Sequence, residues 1–472
     1  MPATEIPSRR HRLLVLAICC MSLLIVSLDV TALNVALPSL QREMDASVSG
    51  LQWIIDVYTV VLASFLLLSG STADRAGRRR VFQTGLVIFT TGSVLCALSP
   101  GLGWLVAFRA AQAVGGSMLN PVAMSIIRNT FRDPKELARA IGAWGAVVGV
   151  SMALGPIVGG ALVELFGWRA IFWLNLPVGL SALLLTMRFV PESKAPNPRR
   201  LDLVGQLLVI LLLGSLTFGI IEGGKDGWGS PLMLSGSGLA LLALLGLLLY
   251  EPRRRQPLLE LRFFRSVPFS GAFVIAIASF SGLGGFLFLN TLYLQDERHL
   301  SALAAGLHLL PMAGVTLVCS LLSGYLVSRV GPRVPLLIAG AAVTASGMLL
   351  TRLRVDSSLW LLFGAYVLFG IGIGLVNAPI TNTAVTGMPR AQSGVAAAIA
   401  STGRQVGSAL GVAVVGTVLA TGSRAAAWWV IAGCGALVLA LGALTTGAWA
   451  RATARRTRAR LAPPASAGPP PE

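Results

Sequence analysis

Charge is scarce in this sequence: only 12% of its 472 residues are Asp, Glu, Lys or Arg, about half the share usual in a soluble domain. That scarcity excludes an ordinary water-soluble globule. Histidine is nearly missing, and His11, His299 and His308 share no ligand spacing. The five cysteines, Cys19, Cys20, Cys96, Cys319 and Cys434, all fall inside apolar runs, so they read as small core residues and not as a disulfide framework or metal site. No Gly-x-x-x-x-Gly-Lys-Ser/Thr loop occurs, which excludes nucleotide hydrolysis as the energy source. No His and acid stand together at triad or metal-ligand spacing, so neither an enzyme nor a cofactor or metal is expected. A membrane sensor is not expected either, because the last twenty or so residues cannot hold a signalling domain.

What is abundant is apolar sequence: 55% of the residues are hydrophobic. Runs of about twenty apolar residues recur, each sufficient to cross a hydrocarbon core of about 30 Å. They lie near 13–37, 51–70, 81–99, 103–127, 138–163, 169–190, 203–221, 231–250, 268–292, 302–328, 333–351, 357–386, 393–420 and 426–448. The first is longer than a cleavable signal core and reads as the first span. The predicted fold class is an all-α polytopic membrane protein of about fourteen transmembrane helices.

The net charge of +18 could point to nucleic acid, but the basic residues are spread over short loops and form no single face. They follow the positive-inside rule instead. With the N-terminus inside, roughly 28 positive residues fall on the cytoplasmic side and about 7 on the other. Both termini are therefore expected in the cytoplasm. Arg109 and Arg404 are left over, inside apolar runs. The run Ser69-Gly70-Ser71-Thr72-Ala73-Asp74-Arg75-Ala76-Gly77 is echoed by Ser323-Gly324-Tyr325-Leu326-Val327-Ser328-Arg329-Val330-Gly331. The first copy closes span two and the second closes span ten. Two parallel bundles of six would place the echo at span eight, so the offset implies two pseudo-symmetric six-helix bundles with an inserted pair. The expected divisions are a cytoplasmic N-terminus (1–12), a first bundle (13–190), a linker carrying the inserted pair (191–265), a second bundle (266–450) and a disordered cytoplasmic tail (451–472).

Ionisable residues inside spans are costly and so are functional candidates. Asp29, Asp56 and Arg109 lie in spans one, two and four at similar depths in the outer half. A carboxyl there can exchange a proton for another cation, tuned by burial and a neighbouring Arg, or it can simply pair with Arg109 to hold the bundle. The small-residue run from Gly149 to Gly160 contains Gly155, Pro156 and Gly159, suited to close helix approach and a kink. The turn Gly70, Asp74, Arg75, Gly77 and Arg78 is a charged corner whose Asp74 could pair across the bundle interface. Asn34, Gln112 and His308 are candidates to line a substrate cavity.

These segments resemble the fourteen-helix drug:proton antiporter (multidrug efflux) branch of the major facilitator superfamily over about residues 10–450. The run Leu28-Asp29-Val30-Thr31-Ala32-Leu33-Asn34-Val35-Ala36-Leu37-Pro38 is similar to that branch's span-one signature. Gly70–Arg80 resembles the superfamily's loop motif, and Arg109-Ala110-Ala111-Gln112-Ala113-Val114-Gly115-Gly116 its span-four motif. Gly155-Pro156-Ile157-Val158-Gly159-Gly160 is similar to the antiporter motif, and Trp168–Gly179 to a further mark of the branch. Ala113 stands where the span-four motif usually has Gly, and Thr72 where an apolar residue is usual. The resemblance implies proton coupling by Asp29 and Arg109, conformational switching at Asp74, and antiport through Pro156 and its glycines. The expected function is proton-coupled export of lipophilic small molecules such as antibiotics, the alternative being proton-coupled import of a nutrient. The expected partners are that substrate, protons and membrane lipid, with no nucleic acid. The expected state is a monomer in a bacterial plasma membrane.

Overall fold

The computed structural model describes residues 8–131, 133–195, 201–227, 229–254, 257–386, 388 and 392–461. Among the basic residues counted above, Arg132, Arg199, Arg200, Arg255 and Arg390 lie outside the described residues. So do 1–7 and the tail from 462 onward. In chain order the helices are α1 (Arg9–Met44), α2 (Val48–Ala76), α3 (Arg78–Ala97), α4 (Leu102–Thr130), α5 (Pro134–Phe166) and α6 (Arg169–Phe189). Then come α7 (Leu203–Asp226) and α8 (Pro231–Tyr250), followed by α9 (Val267–Leu292), α10 (Ala302–His308), α11 (Leu310–Val330), α12 (Arg333–Leu350), α13 (Leu359–Val385), α14 (Ser393–Ala420), α15 (Arg424–Thr445) and α16 (Ala448–Leu461). A chain this apolar must satisfy its backbone internally, and helices do so segment by segment. Side-chain caps open several of them: Ser47 accepts from the Gly50 amide, Asp133 from Glu136 and Ser230 from Met233. Glycines with positive φ stop α2 (Gly77, 115°), α5 (Gly167, 80°) and α11 (Gly331, 77°).

Among the described residues, twelve helical stretches are long and apolar enough to cross a membrane, α10 and α11 counting as one; α5, read through its bend, makes a thirteenth. The predicted fourteenth, α4, is 29 residues long but does not reach that apolarity. Arg109, Gln112 and its small residues dilute it. The predicted span at 302–328 is two helices broken at Leu309, where Pro311 enters the first turn of α11. The tail expectation is corrected for residues 451–461, which are helical in α16. Its Ala450, Ala454 and Thr457 are buried, and the Thr453 hydroxyl accepts from the Val267 amide at the start of α9. Alanine and arginine are strong helix formers, and the prolines of the tail all fall beyond Leu461.

The packing repeats. In the first group α1 packs on α4, α5 and α6, α3 on α4 and α6, and α2 on α4. In the second, α9 packs on α13, α14 and α15, α12 on α13 and α15, and α11 on α13. The groups meet through α2 with α14 and through α5 with α10 and α11. Their joining contacts gather toward the end carrying the α1–α2 turn. There Gln52 donates to the Val412 and Ala413 carbonyls, Gln295 to Val35, and the Leu303 amide to Glu164. Helix α7 packs on both α2 and α14, and α8 packs on α7.

Candidate functional site

Asp29 of α1 and Arg109 of α4 are each 1% exposed and form an ion pair. The second Asp29 oxygen accepts from Gln112 Nε2 of α4 and Asn175 Nδ2 of α6, both at 2.9 Å. Asn175 also donates to Ser93 Oγ of α3 at 3.0 Å. Arg109 gives a further bond to Gln112 Oε1 at 2.9 Å and stacks over the Tyr58 ring of α2 at 4.1 Å. Five helices of the first group thus converge on one carboxylate. Breaking a buried pair from one side costs about 3–5 kcal/mol, because the remaining charge is left uncompensated. Arginine keeps its charge under all ordinary conditions, so Arg109 depends on the Asp29 carboxylate as its counter-charge.

Asp56 does not join this pair. It is fully buried on α2, and neither carboxyl oxygen has a hydrogen-bond partner among the described residues. It lies one turn from Gln52 and one from Val60, on the α2 face turned to α14 and α7. Gln112, expected at a substrate cavity, is corrected: it is fully enclosed, and both ends of its amide are spent on Asp29 and Arg109. Asn34 is also buried and donates to its own helix at Val30. His308 is half-buried at the α10–α11 break, its Nδ1 2.7 Å from the Ala304 carbonyl and its ring beside Phe363.

The small residues of α5 make two seams. Against α1, a Cβ on Gly159 would come within 2.8 Å of Ala32, and one on Gly155 would overlap Thr31. Against the second group, a Cβ on Gly160 would meet Leu303 Cα at 2.7 Å, while Gly306 of α10 abuts the Pro156 carbonyl. Gly149 faces Leu317 of α11. The helix bends by 41° between Met152 and Leu154. Proline clashes with the carbonyl four residues earlier, and for Pro156 that residue is Met152.

The corner after α2 is held within its own group. Asp74 accepts from Arg78 Nε at 3.2 Å and Nη2 at 3.0 Å, and its backbone carbonyl accepts from the Ala195 amide. Glu192 accepts from the amides of Arg79 and Arg80, so it caps the exposed start of α3, which has no side-chain cap of its own. Gly77 is required by this arrangement, since a Cβ there would lie 2.7 Å from the Glu192 carboxylate. The expected pairing of Asp74 across the bundle interface is thus replaced by one with Arg78. The reason is reach: Arg78 stands four residues on, just across the Gly77 turn. Gly70 and Arg75 complete the corner without close contacts of their own, Arg75 being exposed.

The family model of the Major Facilitator Superfamily matches residues 19–412. The chain belongs to the major facilitator superfamily. It is 37% identical to the multidrug resistance protein Stp of Mycobacterium tuberculosis over 416 residues, 87% of this chain and 76% of that protein. It is 36% identical to the tetracenomycin C resistance and export protein of Streptomyces glaucescens, covering 84% and 74%. With the methylenomycin A resistance protein of Bacillus subtilis the identity is 32%, covering 91% of each. The fold matches a crystal structure of a POT family transporter in complex with 5-aminolevulinic acid, with a TM-score of 0.70 at 14% identity over 91% and 94% of the two chains. It also matches a bacterial homologue of the lysosomal transporter Spinster, with a TM-score of 0.62 at 19% identity over 97% and 100%.

Within this superfamily member the motif residues gather at three places: the Asp29–Arg109 network, the α5 seams and the α2–α3 corner. Three contributors lacked a signal in the sequence taken alone. Asn175 and Ser93 carry no charge and sit in spans where single polar residues are common. Glu192 lies in a loop where an acid is unremarkable, although its position opposite an uncapped helix start is what gives it work.

Proposed function

We propose that this membrane protein exports lipophilic small molecules in exchange for protons, by alternating access between the α1–α6 and α9–α15 groups. The observation that carries the reading is Asp29: a carboxylate sealed in the membrane-spanning core whose protonation would release Arg109 and three helices at once. The resistance and export proteins to which the chain is similar favour outward transport of antibiotics. Asp56, enclosed and unpaired at the meeting of α2, α7 and α14, is a second proton site. The glycines of α5 act as the seam on which the groups separate, and the Asp74–Arg78 corner stiffens the α2–α3 turn while they move.

We read fourteen spans, with α4 as the last: it packs on α1, α2 and α3 within the first group, where no lipid need touch its polar side. The two groups form the pseudo-symmetric bundles, α7 and α8 are inserted between them, and both termini face the cytoplasm of a bacterium. The groups touch toward the external end, so the substrate path opens inward. No catalytic step is involved, and a monomer suffices.

The test is substrate-induced proton release from the purified protein across a panel of lipophilic drugs. Release by some compound, lost in Asp29→Asn, supports competition at Asp29. Release that survives in Asp29→Asn moves the proton site to Asp56. Uptake of a compound in the same direction as protons in proteoliposomes would establish import and defeat the export reading.

A further inference from the structure

The second group contains one charge deep in its membrane-spanning helices, Arg404. It lies eleven residues past Ser393, about 16 Å into α14. Helices α9 to α15 contain no Asp or Glu at all. Among the described residues Arg404 has neither an ion pair nor a hydrogen bond. Asp56 of the adjoining α2 makes no pair with it and is shut away on another flank.

Three faces of α14 can be told apart. Gly403, Gly407 and Gly411 pack on Phe273, Ile277 and Ser281 of α9. Val406, Ala409 and Leu410 line a small void with residues of α2 and α7. Ser401, Arg404, Gln405 and Ser408 lie between, at the i, i+3, i+4, i+7 spacing of one helical face, and all four are half-exposed while Thr402, Gly403, Gly407 and Ala409 are buried. A face with a guanidinium, an amide and two hydroxyls is not lipid-facing; in a span it borders a water-filled cavity or the bundle interior. No side chain of the four is engaged in a hydrogen bond among the described residues. A cation kept there without a counter-charge is stabilised only when something negative arrives.

We infer that this face of α14 is an anion-accepting subsite, with Arg404 binding an acidic group and Ser401, Gln405 and Ser408 bonding the atoms beside it. The substrate class is then a lipophilic organic acid, an apolar body bearing one carboxylate or equivalent anion. The inference rests on the reading of the chain as a small-molecule exporter.

The test uses three probes of one shape: 1-pyrenebutyrate, 1-pyrenebutanol and 1-pyrenebutylamine. Binding is measured by fluorescence to protein in nanodiscs of phosphatidylcholine alone, so that no anionic lipid competes. The acid is expected to bind at least about tenfold more tightly than the alcohol, the return on a charge-assisted bond to a desolvated guanidinium. That ratio is expected to fall to about one in Arg404→Gln and to survive in part in Arg404→Lys. Equal affinities in the wild type, no binding of the acid, or a ratio unchanged in Arg404→Gln would overturn the subsite. If Arg404→Gln does not fold, the wild-type ratio and Arg404→Lys still decide. In proteoliposomes, probes moved by a pH gradient without preference for the acid defeat the subsite alone. Tight, selective binding of the acid with no gradient-driven movement of any probe defeats the exporter reading and leaves the subsite standing.

Discussion

The first and second helix groups answer the same geometric problem with different chemistry. In each, a buried polar pair ties the first spanning helix to the fourth. Arg109 and Tyr366 both lie seven residues past the start of their helices, Leu102 and Leu359. Arg109 pairs with Asp29 of α1, while Tyr366 donates its hydroxyl to Asn290 of α9. The surroundings differ in kind. Asp29 is fed by two amides, whereas Tyr366 sits among Phe286, Phe369 and Trp428, with Phe286 and Phe369 stacked at 4.1 Å. One tie joins two opposite charges and the other joins two neutral groups. On the proposed mechanism this asymmetry separates labour inside a repeated fold: the first group holds the element that responds, and the second keeps its shape.

The sharpest way to break this contrast is to remove the responsive member. Asp29→Asn is expected to abolish drug extrusion and substrate-induced proton release, and to lower stability by about 3–5 kcal/mol through the stranded Arg109. Extrusion assays and thermal unfolding of the purified protein check the two effects separately. The double change Asp29→Asn with Arg109→Tyr copies the tie of the second group into the first. It is expected to recover most of the thermal stability while transport stays absent, and recovery of transport would show that the charge is dispensable.

Seam changes come next. Gly160→Val places two methyl groups where α10 backbone already lies within 3 Å of an added Cβ. It is expected to keep the outer ends of α5 and α10 apart, cutting transport at least tenfold while proton release at Asp29 persists. The efficiency of cysteine cross-linking between α5 and α10 measures the gap. Glu192→Gln weakens the cap on α3 and is expected to cost about 1 kcal/mol, read as a lower unfolding midpoint with unchanged drug specificity. The smallest effect belongs to the neutral tie. Replacing both members, Asn290→Leu with Tyr366→Phe, is expected to leave proton release unaltered and stability within about 1 kcal/mol, since a buried pair removed from both sides is nearly neutral. Loss of proton release in that variant would mean that the second tie also responds.

Where a charge had to be buried, the sequence was readable. Asp29 and Arg109 stood out because lipid tolerates so few ions, and their matched depths already placed them together. The α5 bend followed from Pro156, and the echo of the Ser69–Gly77 corner at Ser323–Gly331 is what points to an inserted pair. Choosing between Asp29 and Asp56 as the partner of Arg109 needed helix rotation, which depth alone does not give. The neutral tie went unread because Asn290 and Tyr366 are ordinary residues for a span, distinguished only by meeting each other. Gln112 was misplaced for a related reason: a polar side chain in a span can face water or a buried ion, and spacing does not separate the two. Helix α16 was hidden by its arginines, which masked the buried stripe of Ala450, Ala454 and Thr457.

The position of α7 has a consequence for traffic from the bilayer. It is fastened to α2 through Gln206 to the Ser64 carbonyl and through Glu222 to Trp53, and to α14 through the Ile220 carbonyl to Thr417. Any two-part rocking body has a doorway on each flank, and α7 with α8 boards one of them up. On the proposed mechanism the far flank, where α5 meets α10 and α11, is then the side on which the two groups must part for a guest walking in from the oil. On that reading the machine is one-handed: its guests arrive from one side, and a wall stands on the other.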